Sequence, residues 1–94
     1  QILGDLKMTK EEFLERIESE KLDIDEYIII LDKISDASLV LGCAFDEGKW
    51  KVYKTWERGG HYILKDFDNE HEAFDYFYKL ILMEHNLNKG DFNL

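Results

Sequence analysis

The pattern of hydrophobic and polar positions divides the chain into a short helix, four strands and a longer helix. In the first helical segment, apolar residues such as Phe13 and Ile17 recur at helical spacing, and acidic residues occupy the other faces. Thr9 followed three residues later by Glu12 is a capping box, which opens a helix by satisfying free backbone N–H groups. The sequence therefore predicts an amphipathic helix over residues 10–21.

Four strands are predicted in the middle of the chain. Residues 27–34 are rich in β-branched side chains, residues 38–45 are apolar on both faces, and residues 50–57 alternate between apolar and polar. Residues 61–67 form the fourth strand. Turns are predicted between the strands, at residues 35–37, 46–49 and 58–60. Because connections of this length join antiparallel neighbours, the pattern predicts a meander.

A second helix is predicted after the strands. Asp68 or Asn69 caps it, and an apolar stripe of period 3.6 runs along one face to the end of the helix near Asn86. The stripe consists of Ala73, Phe74, Phe77, Tyr78, Ile81 and Leu82. We therefore expect an α+β fold in which an N-terminal and a C-terminal helix pack on one face of a four-stranded antiparallel meander.

The composition is that of a single globular domain. The chain has 94 residues, no proline and no repeat, and 45% of its residues are hydrophobic. Nothing in it resembles a linker, so we expect one domain over residues 1–94, with a folded core over about 9–87 and a tail over 88–94. The aromatic content of 14% supplies core area and argues against disorder despite the high charge.

The charge balance restricts the kinds of partner. With 21 acidic and 12 basic residues the net charge is −9, which disfavours general binding to nucleic acid or to anionic membranes. The acids concentrate in residues 11–26 and 66–75, whereas residues 49–65 carry five basic residues and one acid. The negative charge therefore favours a basic protein partner, or it serves only to keep the protein soluble.

Candidate chemistry is sparse. Cys43 is the only cysteine, so no disulfide can form within the chain, and its apolar neighbours favour a buried thiol. His61, His71 and His85 lack ligand spacing, and the acids at residues 66–72 lack the glycine and closing glutamate of a calcium loop. We therefore expect a non-catalytic protein without metal or cofactor. We also expect a cytoplasmic location, because a chain with a single cysteine suits a reducing compartment. No apolar run is long enough for a membrane span, and no signal peptide is recognisable.

Several short motifs resemble a family of small bacterial proteins. Trp50, Val52 and Tyr53 on one strand and Glu57, Arg58 and Gly59 in the following turn, together with Tyr27 upstream and Phe67, Glu70 and Ala73 downstream, resemble the immunity protein fifty-nine family. The likeness extends over residues 10–85. Proteins of this kind are encoded beside polymorphic toxins of contact-dependent or type VII secretion systems. The pair Thr55–Trp56 departs from the pattern, which has a smaller or polar residue there.

The resemblance implies a cytosolic antidote that binds a cognate toxin domain, for example a nuclease domain with a basic cleft, and blocks its action. It does not identify the toxin, the contact residues or the oligomeric state. From the residues themselves, the expected partner-binding positions are acidic ones with one aromatic anchor, since hot spots favour tyrosine. They are Glu15, Glu18, Asp23, Asp25, Glu26, Asp46, Glu47 and Tyr53. For Glu57, Arg58 and Gly59 we expect a structural role, with the glycine making the turn and the two charges pairing across strands. The alternative function is a generic acidic interaction module of a cytosolic regulator.

Overall fold

The computed structural model describes residues 8–22, 24 and 26–89. Two helices flank four strands in this part of the chain, and the strands form one sheet in the order β1-β2-β3-β4. The elements are α1 (Lys10–Glu20), β1 (Ile28–Ile30), β2 (Val40–Asp46), β3 (Lys49–Thr55), β4 (His61–Phe67) and α2 (Glu70–Lys89). The predicted α+β class is confirmed: α2 packs on one face of the sheet, and α1 packs against α2.

The pairing of the first strand corrects the prediction of a strictly antiparallel meander. β1 runs parallel to β2, with Ile28 beside Val40 and Ile30 beside Gly42, whereas the other two pairs are antiparallel. A turn at residues 35–37 would reverse the chain, but a parallel pair needs a crossover that returns to the same end of the sheet. The whole of residues 31–39 forms that crossover, which leaves β1 only three residues long.

Tyr53 explains where the crossover runs. Its side chain lies on the sheet face opposite the helices and is fully buried. The hydroxyl donates to the Lys33 carbonyl at 2.8 Å and accepts from the Ser35 N–H at 3.0 Å, which fixes the crossover above the sheet. The ring lies directly over Gly42, where a Cβ would come within 2.1 Å of Tyr53 Cε1. β2 is thus covered on both faces, as its apolar residues on both faces suggested.

Asp36 provides the second anchor of the crossover. Its carbonyl accepts from the Gly60 N–H at 2.8 Å, and its Oδ1 accepts from the His61 N–H at 2.9 Å. The same carboxylate oxygen lies 2.6 Å from His61 Nδ1. The hydrogen bonds from His61 hold the pKa of the Asp36 carboxyl below its ordinary value. A carboxyl whose pKa is lowered by folding stabilises the fold above its unfolded pKa and loses that effect as the pH falls.

Asp36→Asn should therefore lower the melting temperature at pH 6 but change the melting temperature little at acidic pH. As the pH falls through the lowered pKa of Asp36 the carboxylate is neutralised, so the gap between the wild type and Asp36→Asn should close toward acid pH. Thermal unfolding followed by circular dichroism from pH 2.5 to 7 measures the gap. Asp32→Asn, the same change at an exposed position of the crossover, should show no such gap. A gap for Asp36→Asn that is constant over this range would contradict the role given to the carboxylate.

The two hairpin turns use backbone conformations that favour glycine. Between β2 and β3, Glu47 and Gly48 both have positive φ, 54° and 83°, as in the two-residue turns that match strand twist. Between β3 and β4, Gly59 has a φ of 97°, and a Cβ there would lie 3.0 Å from the Asp36 carbonyl oxygen. Gly59 therefore permits both the turn and the approach of the crossover.

The main core lies between the helices and the sheet. Phe13 is the only fully buried side chain of α1, and its ring lies 5.5 Å from Phe74 and 5.0 Å from Phe77. Leu41, Cys43 and Val52 contribute from the sheet. Of the predicted α2 stripe, five residues are buried and Leu82 is half-buried. The aromatic rings of α2 thus hold α1 in place.

The first residues of the two helices agree with the predictions more closely than their last residues do. Thr9 and Glu12 form the capping box of α1. Asn69, rather than Asp68, caps α2, because its side-chain oxygen accepts from the Glu72 N–H at 2.9 Å. α2 continues to Lys89, three residues beyond the predicted end, and residues 90–94 of the predicted tail lie outside the described residues.

Candidate protein-binding surface

Glu15 and Glu18 lie on the exposed side of α1. Together with Glu11 they occupy positions i, i+4 and i+7 of the helix, which places the three carboxylates in a line on one face. We call these three residues the acidic stripe. All three are exposed, and none forms an ion pair within the described part of the chain. Their carboxylates therefore face solvent without an ion-pair partner among the described residues.

The predicted acidic hairpin tip is partly neutralised. Lys51 Nζ lies 3.1 Å from Asp46 Oδ2 and 3.3 Å from Glu47 Oε1. The hydrogen bond to Asp46 leads the effects that raise the pKa of the lysine above its ordinary value. Two carboxylates thus share one cation, so this tip presents less negative charge than its sequence suggests.

The other two lysines of β3 are also paired. Lys49 Nζ lies 2.8 Å from Asp68 Oδ1, and Lys54 Nζ lies 3.3 Å from Glu84 Oε2. Burial alone would lower the pKa of Lys54, but the nearby Glu84 carboxylate and Tyr27 outweigh burial and raise it. The three lysines of β3 are therefore each paired with acids, which come from β2 and its turn, from the residues just before α2 and from the C-terminal half of α2.

Glu26, the described member of the remaining predicted acids, lies far from the hairpin tip. Glu26 is exposed just before β1, whereas Asp23 and Asp25 lie outside the described residues. Because β1 begins beside Val40, Glu26 lies at the end of the sheet opposite the Asp46–Glu47 turn. At about 3.3 Å per residue along β2, the two ends are separated by roughly 20 Å. The structure thus does not bring Glu26 into one patch with Asp46 and Glu47.

Tyr53 presents no surface to a partner in this structure. It was expected to anchor an interface, but its side chain is fully buried and its hydroxyl is bonded to the crossover. Burial raises the pKa of this phenol above its ordinary value. Its role in the described fold is to hold residues 31–39 against the sheet.

Of the remaining motif residues, Val52 and Trp50 support the fold, whereas Glu57 and Arg58 do not make the expected contact. Val52 is buried in the core, and the half-buried Trp50 contacts Phe74 edge-on at 5.7 Å. Glu57 and Arg58 do not pair across strands as expected. Both lie in the turn itself, are exposed, and form no ion pair among the described residues.

An aromatic groove that the sequence analysis did not single out lies at the end of the sheet where β3 turns into β4. Trp56 and Tyr62 stack there with ring centroids 4.2 Å apart and an interplanar angle of 28°. Tyr27, Glu26 and Glu57 line the same groove, which has a volume of about 510 Å³. We call these five residues the aromatic–acidic groove. The sequence feature that could have indicated this groove is the pair Thr55–Trp56. It departs from the motif pattern of the immunity protein family and places a tryptophan beyond the end of β3.

The groups considered for catalysis lie apart or are buried. Desolvation raises the pKa of the Cys43 thiol to about 12, with a smaller effect from Glu70, so the thiol is protonated at neutral pH. His61 is engaged with Asp36, and Glu70 accepts from the Lys10 N–H at 3.0 Å. In the part of the chain that the structure describes, no group of three His, Cys, Asp or Glu side chains could hold a metal ion.

Neither of the two described helices has the length and hydropathy that crossing a membrane requires.

Comparison with known proteins identifies no family for this chain. No protein-family model, curated protein or solved structure matches the chain.

Proposed function

We propose that this chain is a non-catalytic immunity protein that binds and neutralises a cognate bacterial toxin domain through its acidic surfaces. The observation that carries the proposal is the unequal compensation of charge. Lys49, Lys51 and Lys54 are each paired with acids, whereas the acidic stripe on α1 forms no ion pair among the described residues. The exposed field is therefore negative, and such a field attracts a basic protein surface.

The motif resemblance supports the kind of partner. Its residues Trp50, Val52 and Gly59 support the fold in this structure. The likeness therefore concerns the scaffold, and the partner-binding residues are expected among the exposed side chains. A toxin domain with a basic cleft, as in a nuclease, is the partner that an acidic inhibitor fits. The proposed mode of action is steric and electrostatic occlusion of that cleft in the cytoplasm, without chemistry on the toxin.

The test begins with the gene order. We expect a large secreted-toxin gene directly upstream, and co-expression of this chain should restore growth to cells that produce the C-terminal domain of that toxin. The purified chain and toxin domain should co-elute as one complex on size-exclusion chromatography. A neighbourhood without a toxin gene, or a pair that fails to form a complex, would contradict the proposal.

Removing charge from the acidic stripe should slow association with the toxin domain. Electrostatic steering raises association rates by about 10- to 1,000-fold, so Glu15→Gln combined with Glu18→Gln should reduce the association rate constant about 5-fold at low salt. The reduction should shrink at 0.5 M salt, where the Debye length is only a few ångströms. Stopped-flow fluorescence over a salt series measures both effects.

The matched control for the acidic stripe is Asp46→Asn combined with Glu47→Gln. It removes the same number of charges from acids that Lys51 already compensates, so its effect on the association rate should be smaller. Equal effects of the two double variants, or rates that do not depend on salt, would show that local charge at α1 does not steer the partner.

The second candidate is a generic acidic interaction module in a cytosolic regulator. The same uncompensated stripe favours it, because steering acts on any basic partner. A pull-down from the producing organism distinguishes the two functions. Recovery of a housekeeping protein, with no growth rescue from the neighbouring toxin, would favour this candidate.

A further inference from the structure

We infer that the aromatic–acidic groove is an arginine-binding subsite that takes a guanidinium group from the partner protein. This inference rests on the proposed function, because it assigns to the toxin domain the side chain that enters the groove. It goes beyond general charge attraction by naming one chemical group and one place on the sheet. The argument uses ring stacking, exposure and charge at the β3–β4 turn.

The exposed Trp56 ring, stacked on the half-buried Tyr62 ring, forms a platform for a flat cation. Trp56 is 58% exposed although it is a large apolar side chain, and its ring is held against Tyr62 at 4.2 Å. The register pairs Lys54 with Tyr62, so the rings of Trp56 and Tyr62 project from neighbouring strands and support one another. A guanidinium ion stacks on such a face through cation–π attraction and through its own planar surface.

The two charged residues that line the groove are carboxylates without ion pairs among the described residues. Glu26 and Glu57 line it from opposite segments of the chain, and neither forms an ion pair among the described residues. Arg58 follows Glu57 in the turn but does not line the groove. Carboxylates beside an aromatic platform can accept the N–H groups of a guanidinium, which a lysine ammonium matches less well in geometry.

The same end of the sheet already holds a cation on an aromatic ring within the chain. Lys54 Nζ lies 5.0 Å from the ring centroid of Tyr27, and Glu84 balances its charge at 3.3 Å. Because Lys54 is compensated, it does not cancel the charge of Glu26 and Glu57. The volume of about 510 Å³ falls within the range of ~300–1,000 Å³ that is typical of ligand sites, so an arginine side chain and its backbone can enter.

The direct test uses short peptides and the isotope-labelled full chain. Acetyl-Gly-Arg-Gly-amide should shift the indole N–H signal of Trp56 in the NMR spectrum, with millimolar affinity, and the signal is assigned by its loss in Trp56→Leu. The same peptide with citrulline, which is neutral but similar in shape, should bind at least about 5-fold more weakly. Glu57→Gln and Glu26→Gln should each weaken binding, whereas Glu47→Gln, at the far end of the sheet, should not.

Three results would overturn the assignment. They are equal binding of the arginine and citrulline peptides, equal binding of tetramethylammonium, which would show a site for any small cation, and shifts that Glu57→Gln leaves unchanged. With the toxin domain, Trp56→Leu should raise the Kd about 30-fold, as expected for a central aromatic contact. A complex whose Kd is unchanged by Trp56→Leu and Glu57→Gln would overturn the subsite and leave the immunity function standing. Arginine-peptide binding without toxin rescue would contradict the immunity function alone.

Discussion

Replacing Gly42 with alanine should destabilise the fold by about 3 kcal/mol or more, the upper end of the cost of overpacking a closed interior. A Cβ at this position would lie 2.1 Å from Tyr53 Cε1 and 2.2 Å from Cζ, well inside van der Waals contact. The ring cannot easily move aside, because its hydroxyl is bonded to Lys33 and Ser35 and its surface is fully buried. Either the ring or the crossover must shift, and both movements break the partly buried hydrogen bonds of the Tyr53 hydroxyl.

Urea unfolding followed by circular dichroism measures this cost, and a double-mutant cycle assigns its cause. Tyr53→Leu removes the clashing ring atoms but keeps an apolar side chain, so Gly42→Ala should cost less than about 1 kcal/mol in that background. Gly48→Ala is the matched control. Nothing lies within 4 Å of its Cβ, and only its positive φ of 83° is unfavourable, so we expect a loss of about 1 kcal/mol. Equal costs of Gly42→Ala in both backgrounds would contradict the clash.

The elements that the sequence predicts well are those whose determinants are local. The capping box at Thr9, the apolar stripe of α2 and the glycine of the β2–β3 turn each depend on residues a few positions apart. The structure confirms all three. Short-range rules suffice there because the groups that satisfy one another are neighbours in the chain.

The pairing of β1 could not be predicted in this way. Residues 27–34 have the composition of a strand, but only three of them pair, and they pair in parallel. The cause is distant in sequence, since the Tyr53 hydroxyl and the Asp36 bonds to Gly60 and His61 direct the crossover over the far face. The pattern of a strand predicts which of its faces are apolar. It does not predict which backbone groups a tyrosine from another strand will bind.

The candidate site shows the same limit for charge and for aromatic residues. The sum of charges along the sequence predicts a basic hairpin. Folding, however, brings Asp68 to Lys49 and Glu84 to Lys54. The Trp56–Tyr62 stack depends on the register of β3 and β4, which shifts between Val52 and Tyr53. Such a shift moves every later side chain relative to its partner, so the stack follows from the pairing and not from either strand alone.

Replacing Phe13 with alanine should detach α1 from the rest of the fold. Phe13 is the one fully buried side chain of this helix, and its ring contacts Phe74 and Phe77. Truncating a buried phenylalanine costs about 3–5 kcal/mol. An isolated helix needs about 12–15 residues to be even marginally stable in water, and α1 has 11, so it should unravel once this contact is lost.

Hydrogen exchange separates this local opening from general destabilisation. In Phe13→Ala, the amides of α1 should lose most of their protection, while those of β3 should exchange only with global unfolding. Leu14→Ala is the matched control, because Leu14 is 46% exposed on the same helix and its truncation should cost less than about 1 kcal/mol. A uniform loss of protection over both elements would contradict independent detachment of α1. Because the acidic stripe exists as a line of charges only while α1 is helical, Phe13→Ala should also slow association with the toxin domain to about the rate of the Glu15→Gln, Glu18→Gln variant.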